Sequence, residues 1–213
     1  MHHNPVHFQT MRVTTPQRSI YARLGYRAGK TAVKAEEKDR LNRTIQEAAD
    51  LVHLKGAALV MGVVSRSSAG VELESGTFFE SGALARMLKG CSQVLLMGAT
   101  AGHEVMDAIS LASSSDDLTR AVVLDAVASE MTDAGLDWIM SYINQDLMRG
   151  AKRLTRKRFS AGYGDFALEN QKDMYDLLRM EAIGVSITQS CILMPEKSVT
   201  AVAGIVAMKE ETE

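Results

Sequence analysis

Helix-type and strand-type periodicities alternate unevenly along this chain, with hairpin patterns mixed in, and predict an α+β fold: a mixed or antiparallel sheet with helices packed on it. Three observations carry this. Residues 57–64 (AALVMGVV) and 92–97 (SQVLLM) are short apolar runs bounded by turn residues, as buried strands are. VELESGTFFE reads as a hairpin with Ser75-Gly76 at its tip, a unit foreign to a doubly wound parallel sheet. The longest helical segment, 117–148, is apolar on several faces and therefore belongs in an interior between layers.

The elements follow in order. Residues 1–15 are polar, carry Pro5, and read as an N-terminal arm or a first edge strand, with the domain itself running over 16–213. QRSIYARLGY suits a short helix stopped by Gly25. Over 33–54, Leu41, Ile45, Ala48 and Val52 recur at helical spacing with Lys and Glu opposite, and Gly56 is the expected stop. After the hairpin, Ser81 caps a helix over 82–89 that ends at Gly90. The strand at 92–97 leads through a Gly98-Ala99-Thr100-Ala101-Gly102 loop into a helix ending near Ala112. Asp116 is the expected N-cap of 117–148, with a break near Gly135. A basic run (151–158), a loop (159–166) and a helix (167–180) follow. Strands at 184–188 and 198–208 close the chain, with a turn at Met194-Pro195.

A chain of 213 residues buries ~70% of its unfolded surface and needs no metal or disulfide staple. With 24 Lys and Arg against 26 Asp and Glu, the net charge of −2 argues against a general nucleic-acid or membrane-surface binder. No apolar run reaches the ~18 residues of a membrane span, and the N-terminus lacks the apolar stretch of a signal peptide. The expected setting is the cytoplasm, with Cys91 and Cys191 as reduced, buried thiols. No CxxC or Cys/His cluster suggests a metal, and His2, His3 and His7 belong to the N-terminal extension.

Candidate chemistry is sparse. The Gly98–Gly102 loop could bring backbone N–H groups to a phosphate, but it matches neither GxGxxG nor a P-loop, so a tight strand-to-helix turn is the plainer reading. Asp125 lies in the apolar stretch VVLDAVAS and needs a partner such as an Arg, or a polar cavity. Glu130, Asp133 and Asp137 form one helical stripe, a solvated face or a receiver for a cationic ligand. Lys152, Arg153, Arg156 and Lys157 suit a solvated face or a docking patch for an acidic partner. Arg158 differs, because it heads the loop Arg158-Phe159-Ser160-Ala161-Gly162-Tyr163-Gly164-Asp165. That loop joins a bidentate donor, glycines, a tyrosine and an acid, and can hold a small carboxylate ligand. No Ser-His-Asp or Cys-His set is apparent, and His53 and His103 stand at helix ends.

RFSAGYGDFALENQKDMYDLL followed by IGVSITQSCILMPEKSVTAVAGI resembles the activation (reactivation) domain of cobalamin-dependent methionine synthase, and more closely the stand-alone activation-domain-like proteins. ARLGY, LKGC, VLLMGATAG and LDAVAS extend the resemblance over about residues 18–208. It implies a C-shaped domain around a twisted, mainly antiparallel sheet. It implies binding of S-adenosylmethionine (SAM), which remethylates an oxidised cobalamin with an electron from flavodoxin or a similar donor. By matching motif, Arg158 would hold the SAM carboxylate, and the backbone of Ser160, Ala161 and Gly162 would face the ligand, with Asp165 among the binding residues. Tyr163 would sit beside the methyl group and corrin, as the residue nearest the reaction, and Glu130, with Asp125 as the alternative, would serve the amino group.

A SAM molecule presents a carboxylate, an ammonium and a sulfonium, which suit an Arg, an acid and an aromatic face. No nucleophile is required, because the cofactor carries the chemistry. The chain lacks the Asp-x-His-x-x-Gly ligand motif, so cobalamin enters only through a partner protein, and the chain is not catalytic alone. The loop is also poorer in proline than the family's. The expected function is therefore a reactivation subunit for a cobalamin-dependent methionine synthase or other corrinoid protein, in methionine biosynthesis. The alternatives are an assembly factor for a corrinoid methyltransferase that binds its partner without SAM, and a nucleotide binder using the Gly98–Gly102 loop.

Overall fold

The computed structural model describes residues 4–27, 31 and 34–208. The helices are α1 (Gln17–Arg23), α2 (Ala35–Asp50), α3 (Gly82–Met87), α4 (Glu104–Ser114), α5 (Leu118–Arg149) and α6 (Asn170–Leu178), with a 3-10 turn at Met180–Ile183. The strands are β1 (Val6–Phe8), β2 (Lys55–Arg66), β3 (Gly70–Leu73), β4 (Phe78–Glu80), β5 (Gln93–Thr100), β6 (Lys152–Phe159), β7 (Ser186–Ile187), β8 (Leu193–Met194) and β9 (Ser198–Ala207). Seven of them form one sheet in the order β4-β3-β2-β5-β9-β6, with β1 beside β2. Every pairing among the described residues is antiparallel. The fold is thus α+β, a mainly antiparallel sheet flanked by helices.

The central strands are apolar because both faces are covered. On β5, Leu95, Met97 and Ala99 point into one core, with Ala201, Ala203 and Ile205 of β9 and residues of α1, α2, α4 and α5. Val94 and Leu96 point into the other, with Val202 of β9 and residues of α3, α6 and the 3-10 turn. The period of two along each strand thus separates two cores with one sheet between them.

Three glycines mark close approaches of the layers. A Cβ on Gly56 would stand 2.8 Å from Ile139 Cδ1, and one on Gly135 would stand 3.5 Å from Ala99 Cβ, so both let α5 lie close to the sheet. On the opposite face, a Cβ on Gly98 would stand 2.8 Å from Met180 Cε. These contacts correct two expectations: Gly56 lies inside β2 rather than stopping α2, and Gly135 does not break α5, which runs unbroken for 32 residues.

Further differences have local causes. Asp117, not Asp116, caps α5, its carboxylate accepting from the Arg120 N–H at 3.1 Å. Asp116 takes the left-handed φ of 60° that turns the chain into the helix. Of the two readings of the N-terminal residues, the strand holds over those described: Val6–Phe8 pair with Gly56–Ala58, and Met11 is buried. His7 Nε2 donates to the Leu178 carbonyl at 2.9 Å, while His2 and His3 lie outside the described residues. The expected strand at 184–188 contracts to a two-residue ribbon with Leu193–Met194, apart from the main sheet. Ser81 caps α3 as expected, accepting from the Leu84 N–H at 3.0 Å. Among the described residues, no helix is long and apolar enough to cross a membrane.

Candidate functional site

The basic run forms β6, the terminal strand of the sheet beyond β9. Its register carries a bulge. Leu154 pairs with Ile205 and Arg158 with Ala203, so four steps along β6 match two along β9. The extra residues leave Arg156 and Lys157 exposed, and a charged, bulged edge discourages pairing with another chain. Beyond the bulge, Arg158 shares the face of Ala203, toward α5, and Phe159 shares the opposite face with Val202. The period of two along the strand thus sends these adjacent residues to different layers.

Arg158 meets the acidic stripe of α5. Its Nη2 donates to Asp133 Oδ1 at 2.5 Å and its Nη1 donates to Asp137 Oδ1. The arginine side chain is 22% exposed, whereas those of Asp133 and Asp137 are 58% and 68% exposed. Burial by itself would lower the Arg158 pKa, but the hydrogen bonds and charges of the two aspartates outweigh it and hold the guanidinium above its ordinary value.

The loop after Arg158 closes on itself. The Gly162 N–H donates to the Phe166 carbonyl at 2.7 Å, and the Phe166 N–H donates to the Tyr163 carbonyl at 3.0 Å. Gly162 and Gly164 take φ of 88° and 57°, conformations that glycine adopts without a Cβ penalty. Ser160 is half-buried and Ala161 is buried. Phe166 is fully buried, edge-on to Phe79 with centroids 5.3 Å apart and stacked on Phe159 at 6.0 Å. The two phenylalanines pin the loop, and Tyr163 is displayed at its tip, 68% exposed.

Asp165 faces away from Arg158's partners and ties the loop to α3. It accepts from the Ser81 hydroxyl at 2.5 Å and from the Ala83 N–H at 3.0 Å. The Ser81 bond first, then the Ala83 bond, hold its carboxyl below the usual carboxylate range. Ser81 and Asp165 together thus satisfy two of the unpaired donors at the start of α3.

The two acids considered for the ligand's amino group are not brought together. Glu130 Oε1 accepts from Arg23 Nε at 2.5 Å, and Asp125 pairs with Lys197 Nζ at 2.6 Å. Five residues apart on one helix, they face about 140° away from each other. Glu130 shares the stripe of Asp133 and Asp137, so it adjoins the Arg158 cluster, and Asp125 does not. The partner that Asp125 required is thus a lysine. Asp133 and Asp137, named from the sequence only as part of a stripe, are the acids that meet Arg158. Their helical spacing was visible, but nothing in it points to residue 158.

The glycine-rich loop reading is overturned. Gly98, Ala99 and Thr100 are the end of β5, paired with Ala57, Gly56 and Lys55 of β2 and with Thr200, Val199 and Ser198 of β9. Their N–H groups serve strands, and no phosphate-binding loop exists there. His53 pairs with Glu104 at 2.9 Å on the surface. No group of three metal-ligating side chains is present among the described residues.

Three surface grooves are lined by other residues. One of 680 Å³ lies between Tyr26, Leu41, Arg120 and Val122, one of 570 Å³ beside His53 and His103, and one of 440 Å³ beside Arg66, Arg86 and Lys89. None of the three includes Arg158 or Tyr163. The candidate site is therefore a surface defined by its side chains: Arg158 under two aspartates, a closed loop, and an exposed tyrosine.

No protein-family model matches the chain, and no curated protein matches it. Among solved structures, it is similar to the crystal structure of the MetH reactivation domain bound to AdoHcy. The TM-score is 0.63 at 15% sequence identity, over 93% of this chain and 74% of that one. At that identity the likeness shows a shared fold.

Proposed function

We propose that this chain binds SAM at the Arg158–Asp165 surface and supports reductive remethylation of cob(II)alamin carried by a partner, a cobalamin-dependent methionine synthase or another corrinoid protein. The observation that carries the reading is a fold shared with a reactivation domain solved with AdoHcy, together with an arginine held at the head of a closed glycine loop. In this reading Arg158 orients the amino-acid end of SAM. The backbone of Ser160, Ala161 and Gly162 lies along the ligand, and Tyr163 reaches the side from which the corrinoid approaches. Glu130 and the aspartates of its stripe supply negative charge for the ammonium. SAM supplies the methyl group, the partner's cobalamin receives it, and flavodoxin or a similar donor supplies the electron. The exposed cations of β6 suit an acidic partner surface.

Isothermal titration with SAM, with AdoHcy and ATP as comparators, tests the reading. Saturable SAM binding that Arg158→Ala abolishes supports it, and unchanged affinity in that variant refutes the site. A second reading is favoured by one specific observation: both terminal nitrogens of Arg158 are already engaged. A chain whose arginine is permanently satisfied would serve as an assembly factor that binds a corrinoid protein without SAM. Partner capture that is indifferent to SAM distinguishes it.

A further inference from the structure

Resting on the SAM-binding reading above, we propose that Asp133 and Asp137 are internal competitors for Arg158, and that ligand binding is an exchange. The ligand carboxylate displaces an aspartate from the guanidinium, and the released aspartate takes the ligand's ammonium.

The charges require such an exchange. One guanidinium against two carboxylates leaves the set at −1. A third carboxylate on the same arginine would add like-charge repulsion at hydrogen-bond range. Exposure decides which group moves. The Arg158 side chain is 22% exposed on a backbone held opposite Ala203, whereas the aspartates are 58% and 68% exposed. A short side chain that is already half in water turns outward at little desolvation cost. Arg158 stays and an aspartate yields.

The same geometry selects the ligand class. In an α-amino acid the ammonium and the carboxylate stand on one carbon. An aspartate within reach of Arg158 is therefore within reach of an ammonium beside a carboxylate docked there. The neighbouring Arg23–Glu130 pair is balanced and leaves the excess negative charge in place. The site thus favours an α-amino acid end over a simple carboxylate, and the sulfonium of SAM over the neutral thioether of AdoHcy.

The test is titration calorimetry on the full chain with three probes: SAM, AdoHcy, and AdoHcy lacking its α-amino group. The proteins are wild type, Asp133→Asn, Asp137→Asn, the double variant and Arg158→Lys. Asn at these exposed helix positions preserves shape and fold. Releasing an exposed ion pair is worth about two- to fivefold in affinity. The double variant should bind the deaminated probe about two- to fivefold tighter than wild type, and its preference for SAM over that probe should fall by at least as much. Binding by the double variant where wild type shows none supports the exchange equally. Unchanged affinities in both aspartate variants, with Arg158→Lys weakened, overturn the exchange and leave the SAM site standing. If wild type and double variant alike bind no probe, the SAM reading falls and the exchange with it.

Discussion

Replacing Phe166 by alanine should cost about 3–5 kcal/mol, the usual range for deleting a buried aromatic side chain. The upper half of that range applies here. Phe166 is fully buried and makes two ring contacts, edge-on to Phe79 at 5.3 Å and stacked on Phe159 at 6.0 Å. Such pairs contribute about 0.5–1.5 kcal/mol each beyond area burial. In a chain of this length, 1 kcal/mol moves Tm by about 2–4 °C, so Tm should fall by roughly 8–20 °C. Phe166→Leu should cost about 1–2 kcal/mol and remain folded. Urea unfolding followed by circular dichroism gives the free energy directly. In the leucine variant, limited proteolysis should cut near Tyr163 sooner than in wild type, because the ring that pins the loop is gone. A loss below about 1 kcal/mol in Phe166→Ala would refute the argument that this ring anchors the loop.

Three other outcomes are expected. The folded pKa of Asp165 lies below its unfolded value, so its contribution to stability is complete above about pH 4 and is lost as the pH falls through the folded pKa. The Tm difference between wild type and Asp165→Asn should therefore be present at pH 7 and shrink as the solution is acidified; a difference that grows would contradict the pairing with Ser81 and Ala83. Gly98→Val should cost about 1–3 kcal/mol by overpacking against Met180, measured by thermal unfolding, and a neutral result would place Gly98 outside the sheet-to-turn contact. Burial pushes the Cys91 thiol up, against the opposing charge of Arg66, while Cys191 is partly exposed. A thiol reagent should accordingly modify Cys191 in the native protein and reach Cys91 only on unfolding.

The stand of Arg158 against α5 shows where sequence reading stops. The loop from Arg158 to Asp165 was legible as a ligand-type segment, because its glycines, its arginine and its tyrosine lie within eight consecutive positions. The Glu130, Asp133, Asp137 stripe was legible too, since helical spacing is a local property. That the two meet was not. It depends on a bulge between Leu154 and Arg158 that sets the arginine opposite Ala203 rather than two residues further along β9, and bulge positions leave no mark in an ordinary run of basic residues. The Gly98–Gly102 misreading has a similar origin. Small residues suit a phosphate loop and a strand pressed between two layers equally well, and only the presence of Met180 behind Gly98 separates them.

By itself the sequence determined the α+β class, the existence of α1 to α6, the Ser75-Gly76 hairpin and the Ser81 cap. Each follows from periodicity and end chemistry among neighbouring residues. Only the tertiary structure decided that Asp165 would complete the cap of α3 from 84 positions away, that Lys197 would answer Asp125, and that two aspartates would occupy Arg158. A charged or hydrogen-bonding side chain carries the need for a partner but not its address, and that address is set by which faces the packed sheet and helices turn toward each other.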